Sequence, residues 1–375
     1  MRRWLPVLSV RPAPPALLAL ALAIAFIHAP PSLLAAPPAV EDKAEDKVIT
    51  RIAFGSCAHQ EKPQPIWDAV LATRPDLFVF LGDNIYGDTE DMGILANKYA
   101  QLGEVPGFRK LRESDDCRVL ATWDDHDYGK DDAGDEYPMR EASQRVFLDF
   151  WNDPPDSARR KRPGVYASYL FGPPGKRVQV ILLDTRYFRS PLVKIPKPEK
   201  GKGPYLPDTN PSVTMLGEAQ WAWLEEQLRV PADLRVIGSS IQVVPTQHGW
   251  EKWENFPRER QRLFDLIRKT KANGVVLLSG DRHFAEISRE PKAVGYPLYD
   301  LTASSINRPG KGDRVEPNVF RVGDLYEFEN FGLLTIDWSA KDPAVEMTIR
   351  GMDGKPVVQE TVRLSTLNAP PATGE

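Results

Sequence analysis

A run of acidic residues follows a short apolar segment in the middle of the sequence. In "VLATWDDHDYGKDDAGDE" the apolar residues at 119–121 lead into Asp124, Asp125, His126 and Asp127. Two carboxylates about 5 Å apart repel each other by about 3 kcal/mol at an effective dielectric constant near 20. A fold that holds such a cluster therefore needs a cation or protons to neutralise it, unless the side chains splay into solvent.

Residues able to bind metals also follow other apolar segments. They offer oxygen, nitrogen or sulfur donors, and they are Cys57, Asp83, Tyr86, Asp125, His126, Asp281 and His283, with Asn84, Gln242 and Arg186 nearby. The sequence contains neither a GxSxG nucleophile elbow nor a GxxxxGK[ST] phosphate loop. Two cations sharing a carboxylate would neutralise the cluster, lower the pKa of a bound water and hold a phosphoryl group. The pattern favours metal-assisted hydrolysis.

Six short runs rich in Val, Ile, Leu and Phe are predicted to be the strands that position these residues. The runs are "RIAFG", "DLFVFLG", "RVLAT", "VQVILL", "LRVIG" and "GVVLLSG", and helical patterns separate several of them. This alternation predicts an α/β layered fold with its site at the carboxyl ends of the strands. After His283 the runs alternate between apolar and polar residues, which predicts an antiparallel end to the sheets.

The composition is that of a folded protein with no sign of nucleic-acid binding. The 375 residues carry a formal net charge of −4 and are 42% hydrophobic. The hydrophobic content is ample for a packed core, and the charge indicates no basic face for nucleic acid. Oligomeric state is left open.

The first 36 residues are typical of an export signal. Two arginines precede an apolar run at 16–27, and small residues suit cleavage near Ala36. The alternative is an uncleaved membrane anchor, although the run is short for a bilayer. We expect a cleaved signal peptide over 1–36 and an acidic linker over 37–47. The mature protein is then periplasmic or extracellular, with no transmembrane segment.

Six motifs in order carry a resemblance to a known family. They are "RIAFGSC", "FLGDNIYGD", "TWDDHDYG", "LLDTRYFR", "GSSIQ" and "LLSGDRHFAEI". From Arg51 to Leu364 the chain resembles the alkaline phosphatase D (PhoD-like) family of the calcineurin-like metallophosphoesterase superfamily. The resemblance implies an αββα sandwich with metals between the ends of two sheets, here over residues 48–366 and followed by a tail over 367–375. It also implies a phosphate ester as substrate.

The resemblance implies a site of ferric iron and calcium, with other divalent metals as alternatives. By analogy Cys57 and Tyr86 bind iron and Asp83 bridges to calcium. Asp281 and His283 match the last metal motif of the family.

Further site residues also rest on the resemblance. Gln242 matches a calcium-side position, and Asp131 stands where similar members often carry an asparagine ligand. His126 resembles the phosphate-facing histidine and is the candidate acid for the leaving oxygen, with Asp125 in a supporting role beside it. Arg186 contacts the phosphate or forms a salt bridge with Asp184.

Several alternatives stay open at this point. Cys57 could form a disulfide with Cys117 instead of binding metal. The enzyme could prefer diesters or cleave phospholipids, or the chain could bind metal or phosphate without turnover. "QHGWEKWENFP" offers Trp250, Trp253 and Phe256 as an aromatic rim or as packing residues. Four acidic residues are expected mostly in a solvated loop: Asp127, Asp131, Asp132 and Asp135.

Overall fold

The computed structural model describes Met1, residues 45–310 and residues 316–369. The rest of the predicted signal peptide and most of the predicted linker lie outside the described residues. Fifteen strands are described: β1 Arg51–Gly55, β2 Leu77–Leu81, β3 Arg118–Thr122, β4 Ala167–Phe171, β5 Val178–Leu182, β6 Val193–Lys194, β7 Tyr205–Leu206, β8 Leu234–Gly238, β9 Val275–Ser279, β10 Ala285–Glu290, β11 Leu298–Ala303, β12 Arg321–Tyr326, β13 Phe331–Asp337, β14 Ala344–Arg350 and β15 Pro356–Arg363.

Seven α-helices are described among them. They are α1 Trp67–Ala72, α2 Met92–Gly103, α3 Pro106–Arg112, α4 Asp125–Tyr128, α5 Arg140–Phe150, α6 Gly217–Leu228 and α7 Pro257–Thr270. In the described part of the chain, no helix combines the length and the apolar composition needed to cross a bilayer.

Two large mixed sheets form the centre of the fold. The first has the strand order β15-β14-β13-β1-β2-β3 and the second has the order β12-β10-β11-β9-β8-β5-β4. Strands β1, β2 and β3 are parallel, while β13, β14 and β15 pair antiparallel at the other edge. The α/β class and the antiparallel C-terminal segment predicted from the sequence are thus confirmed.

Strand β2 of the first sheet buries both of its faces. Along β2, Leu77, Val79 and Leu81 pack into the cluster shared with the second sheet. Phe78 and Phe80 belong to a separate cluster with residues of helices α1, α2, α3 and α5. Because neighbouring side chains of a strand point to opposite faces, a continuous apolar run is what a strand covered on both sides requires.

The domain extends slightly beyond the predicted limits of 48 and 366. Glu45, in the predicted linker, pairs with the guanidinium of Arg118 and forms a β-bridge with Phe171. At the other end, the carbonyl of Leu367 accepts the Gly274 N–H at 2.8 Å, and the Leu367 side chain is buried. Glu45 and Leu367 therefore pack on the domain.

Candidate active site

The loops after three parallel strands carry most of the predicted metal ligands. Cys57 lies just beyond β1 and Asp83 just beyond β2, while Asp281 and His283 follow β9. All four residues have positive φ angles, of 59°, 51°, 69° and 58° respectively. Such angles cost non-glycine residues about 1–3 kcal/mol each and persist where the surroundings impose them. The turns aim these side chains at one place.

One glycine lets two of the loops around the site approach each other. Gly82 has φ +95°, and a Cβ atom there would lie 2.4 Å from the Asp124 Cβ and 2.6 Å from the Asp124 nitrogen. Any side chain would therefore separate the β2 loop from the β3 loop.

The first donor group combines a thiol, a carboxylate, a phenol and an imidazole. The Cys57 Sγ lies 3.4 Å from Asp83 Oδ2, and the Tyr86 hydroxyl lies 3.0 Å from the same oxygen. The hydroxyl is also 3.2 Å from Nε2 of His283. Suitable ligand atoms of Cys57, Asp83 and His283 all lie within 4.8 Å of one another.

Two further groups adjoin the first. Asp83, Asp125 and His126 form one, and Asp124, Asp125 and Asp281 form the other, each again within 4.8 Å. Asp83 belongs to two of the three groups, and Asp125 does as well. The predicted position of Asp83 between two sites is therefore compatible with the geometry.

The protein leaves several oxygens of these carboxylates without a partner. Among the described residues, the buried oxygens Asp83 Oδ1, Asp124 Oδ2 and Asp125 Oδ1 have no hydrogen-bond partner. Burial raises the pKa of Asp83 and Asp281 well above the usual range, and it raises that of Asp124 to about 6 although Arg186 opposes the shift. Cations bound here would occupy the unpaired oxygens and keep the groups ionised, so the residues fit metal ions.

His126 belongs to the second group and lies beside the first. Its Nδ1 is 2.7 Å from Asp88 Oδ1, and its ring centroid is 4.3 Å from that of Tyr86. Burial lowers the pKa of His126, but the carboxylates of Asp125, Asp83 and Asp88 outweigh it and raise the pKa to about 11. The ring is held at Nδ1, which leaves Nε2 as the atom available for a substrate.

Arg186 lies in a buried ion-pair network. Its Nε is 2.5 Å from Asp124 Oδ1, and its terminal nitrogen is 2.7 Å from Glu251 Oε2. Glu251 also pairs with Arg189 at 3.1 Å. The salt bridge to Asp184 that the sequence suggested is not formed, since the Asp184 carboxylate accepts three backbone N–H groups, those of Val165, Arg186 and Tyr187. The guanidinium is fully buried and acts on Asp124.

Two residues predicted to bind metal, Gln242 and Asp131, lie outside the three donor groups. The Gln242 side chain donates to Glu286 and Thr302, both at 2.8 Å, and its oxygen is 2.9 Å from Nε2 of His248. None of these partners belongs to the three groups. Asp131 has a side chain 78% exposed, and its carboxylate lies 3.9 Å from Nε2 of His126. A role for either residue as a ligand requires it to change partners.

The structure also answers three questions that the sequence left open: the state of the cysteines, the place of two aromatic residues and the exposure of Asp127. Cys57 and Cys117 are both free thiols, so no disulfide joins them. Trp253 and Phe256 are buried, at 0% and 1% exposure, which makes them packing residues rather than a rim. The prediction that Asp127 lies in a solvated loop is wrong, because its side chain is wholly buried.

Sequence reasoning did not select several residues of this site. Asp124 is adjacent to the chosen Asp125, and the run "WDDHD" was a usable signal for it. The hydroxyl of Ser304 lies 3.1 Å from the Cys57 Sγ and accepts the His283 N–H at 2.9 Å. Arg308 lies over the Tyr86 ring. No motif marks Ser304 or Arg308, which join the site from beyond β11.

Known proteins resemble the chain in sequence and in fold. A family model described as PhoD-like phosphatase matches residues 97–321, more than half of the chain. Alkaline phosphatase D of Bacillus subtilis (strain 168) is 25% identical over 278 residues, which are 62% of this chain but only 45% of that relative. The match thus spans less than half of the curated relative.

Solved structures show the same fold. A structure of PhoD aligns with a TM-score of 0.64 at 17% identity, covering 88% of this chain and 70% of that one. A purple acid phosphatase from yellow lupin (Lupinus luteus) seeds aligns with a TM-score of 0.56 at 11% identity, covering 87% of this chain and 55% of that one. The architecture is therefore of the metallophosphatase type.

Proposed function

The chain belongs to the PhoD-like phosphatase family, and on this premise we propose that it is an exported, metal-dependent phosphoric ester hydrolase. The observation that carries the proposal is the position of Asp83, whose carboxylate belongs to two adjoining donor groups. One carboxylate between two cation sites is the arrangement that two-metal phosphoryl transfer uses. The resemblance to alkaline phosphatase D supports the same reaction class.

The donor types support iron at the first group and calcium at the others. A thiol and a phenol, from Cys57 and Tyr86, suit a Lewis-acidic transition metal, whereas calcium prefers carboxylate and carbonyl oxygens. Asp124, Asp125 and Asp281 supply such oxygens. Burial and the neighbouring Asp83 raise the pKa of the Cys57 thiol, so this thiol becomes a ligand only where a bound cation favours the thiolate. A different pair of divalent metals is the alternative.

The bound metals would supply Lewis acidity toward the phosphoryl group and an activated water. The residues of the chain would orient the ligands and protonate the leaving group. Asp88 holds His126 through Nδ1 at 2.7 Å, so Nε2–H donates a proton to the leaving oxygen of the ester. The Arg186 guanidinium fixes Asp124 from the buried side and thereby orients one carboxylate of the third group.

Hydrolysis of chromogenic phosphate monoesters and diesters by the purified protein tests this function. Metal content is measured in the same samples, before and after chelation. Asp83→Ala is expected to abolish turnover and lower metal content with the fold retained. Asp337→Ala, an exposed aspartate at the end of β13, is the matched control. Near-normal turnover by folded Asp83→Ala would exclude the bridging role, and an inactive metal-loaded wild type would exclude the hydrolase.

Export rests on the sequence of residues 1–36 alone. N-terminal sequencing of the mature protein is expected to begin near Pro37, in material recovered from outside the cytoplasm. Intact Arg2 and Arg3 in that material would exclude a cleaved signal peptide.

A further inference from the structure

The segment at 306–310 is tied to two of the metal-binding loops. The Ile306 N–H donates to the carbonyl of Ser56 at 3.0 Å, and the Gly310 N–H donates to the carbonyl of His283 at 2.7 Å. Between them, the Asn307 side-chain oxygen accepts the backbone N–H of His59 at 2.7 Å. Both ends of this segment are therefore fixed relative to the first donor group.

Arg308 lies in the middle of this segment and places a positively charged guanidinium at the site. Its guanidinium carbon is 4.0 Å from the centroid of the Tyr86 ring, and its side chain is partly buried. The hydroxyl of the same ring contacts Asp83 at 3.0 Å and His283 at 3.2 Å. Arg308 therefore packs directly on the phenol of the first donor group.

The N–H groups of Arg308 have no acceptor in the described part of the protein. Across residues 45–310 and 316–369, this guanidinium makes no hydrogen bond and no ion pair, and the one aromatic ring it packs on is that of Tyr86. A guanidinium that stacks on a ring uses its face and keeps its five N–H donors in its own plane. By contrast, Arg186 and Arg282 are buried against the carboxylates of Asp124 and Glu316.

We propose that Arg308 binds the non-bridging oxygens of the substrate's phosphoryl group at the edge of the metal centre. The proposal rests on the proposed function, since it assigns Arg308 to the same site. A guanidinium fork matches two phosphoryl oxygens, and such charge-assisted hydrogen bonds are strong. Arg186 does not compete for this role, because it is fully buried and paired with Asp124 and Glu251.

Binding of inorganic phosphate to the metal-loaded full chain tests the assignment without turnover. Calorimetry compares wild type with Arg308→Met, which keeps an apolar stem on the Tyr86 ring, and with Arg308→Lys, which keeps the charge. We expect phosphate to bind about 10- to 100-fold more weakly to Arg308→Met. Arg308→Lys should lie between the two. Metal content and melting temperature should stay at wild-type values in both variants.

A matched control removes another arginine from an aromatic ring. Arg262, on α7, lies 4.6 Å from the Trp221 ring, and Arg262→Met should bind phosphate as the wild type does. In kinetics with a phosphate ester, Arg308→Met should raise KM, and added guanidinium should restore part of the loss. If Arg308 had only a structural role, guanidinium would not rescue the variant, and Arg308→Lys would not show an intermediate phosphate affinity.

Three results would overturn the assignment. They are equal phosphate affinity in wild type and Arg308→Met, an equal loss in Arg262→Met, and no phosphate binding by the metal-loaded wild type at millimolar concentration. If the wild type binds phosphate through Arg308 but hydrolyses no ester, the Arg308 assignment stands and the proposed hydrolase fails. The two proposals are thus separable.

Discussion

The carboxylate of Asp127 accepts the backbone N–H of Asp83 at 3.2 Å, across 44 residues of sequence. The same Asp127 oxygen accepts the N–H of Asp124 at 2.6 Å, as part of the capping box of α4. Asn84 donates to the other oxygen through its side-chain amide. One buried carboxylate therefore joins the loop after β2 to the loop after β3, and it sets the spacing of Asp83 and Asp124.

Replacing Asp127 with asparagine is expected to weaken both the fold and the metal site. The new amide would present a donor where the loops present N–H groups, leaving buried donors unpaired at a cost of about 1–3 kcal/mol each. Urea unfolding and metal analysis measure the two effects. Asp135→Asn, at an exposed position in the same region, is the control. Unchanged stability and metal content would show that Asp127 does not set the loop spacing.

His126→Gln is expected to lower kcat by about 10²- to 10⁴-fold, far more than it lowers metal content, because a positioned general acid contributes about that much. The loss should be smaller for a leaving group of low pKa, which departs without a proton. His59→Gln is the matched control, since His59 also packs on Tyr86, at 5.1 Å between ring centroids. Equal losses for good and poor leaving groups would remove His126 from the acid role.

The iron assignment predicts a coloured protein. Phenolate or thiolate bound to ferric iron should give a visible charge-transfer band that bleaches on reduction or chelation. Tyr86→Phe should remove the phenolate part and Cys57→Ser should perturb the remainder. Tyr128→Phe is the control, since that hydroxyl is buried on the Gly134 carbonyl. A colourless, fully active protein holding only zinc or calcium would contradict the assignment.

The buried side chain of Lys252 should make the stability of the protein depend on pH. The side chain is 2% exposed, and burial, together with the cation of Arg282, lowers its pKa from 10.5 to about 8. Between these values the unfolded chain binds the proton and the folded chain does not, so wild-type stability rises with pH across that window. Below pH 8 the folded state carries a buried charge and bears the full cost.

Lys252→Met should therefore be more stable than wild type by about 1–3 kcal/mol at pH 7. The difference should shrink toward pH 10. Urea unfolding at the two pH values measures it, and Lys355→Met, at a side chain 80% exposed, should show no such trend. A difference that does not change with pH would mean that the Lys252 charge is not the cause.

Local sequence was enough to predict the strands and the kinds of donor that end them. The runs before Cys57, Asp83 and Asp281 are continuously apolar, which is the pattern of strands buried on both faces. The alternating residues near the C-terminus likewise predicted β13, β14 and β15. These features depend on side-chain periodicity and on polar residues at turns, both of which a single chain displays directly.

Tertiary structure alone decided which of these donors meet. The Tyr86 hydroxyl and His283 are separated by 197 residues yet lie 3.2 Å apart, because the two sheets bring their strand ends together and the turns hold positive φ angles. The same packing turned Gln242 toward Glu286, buried Arg186 against Asp124 and placed Arg308 on the Tyr86 ring. A residue's type states what it can bind, but its partners depend on strand order and turn geometry, which no local pattern encodes.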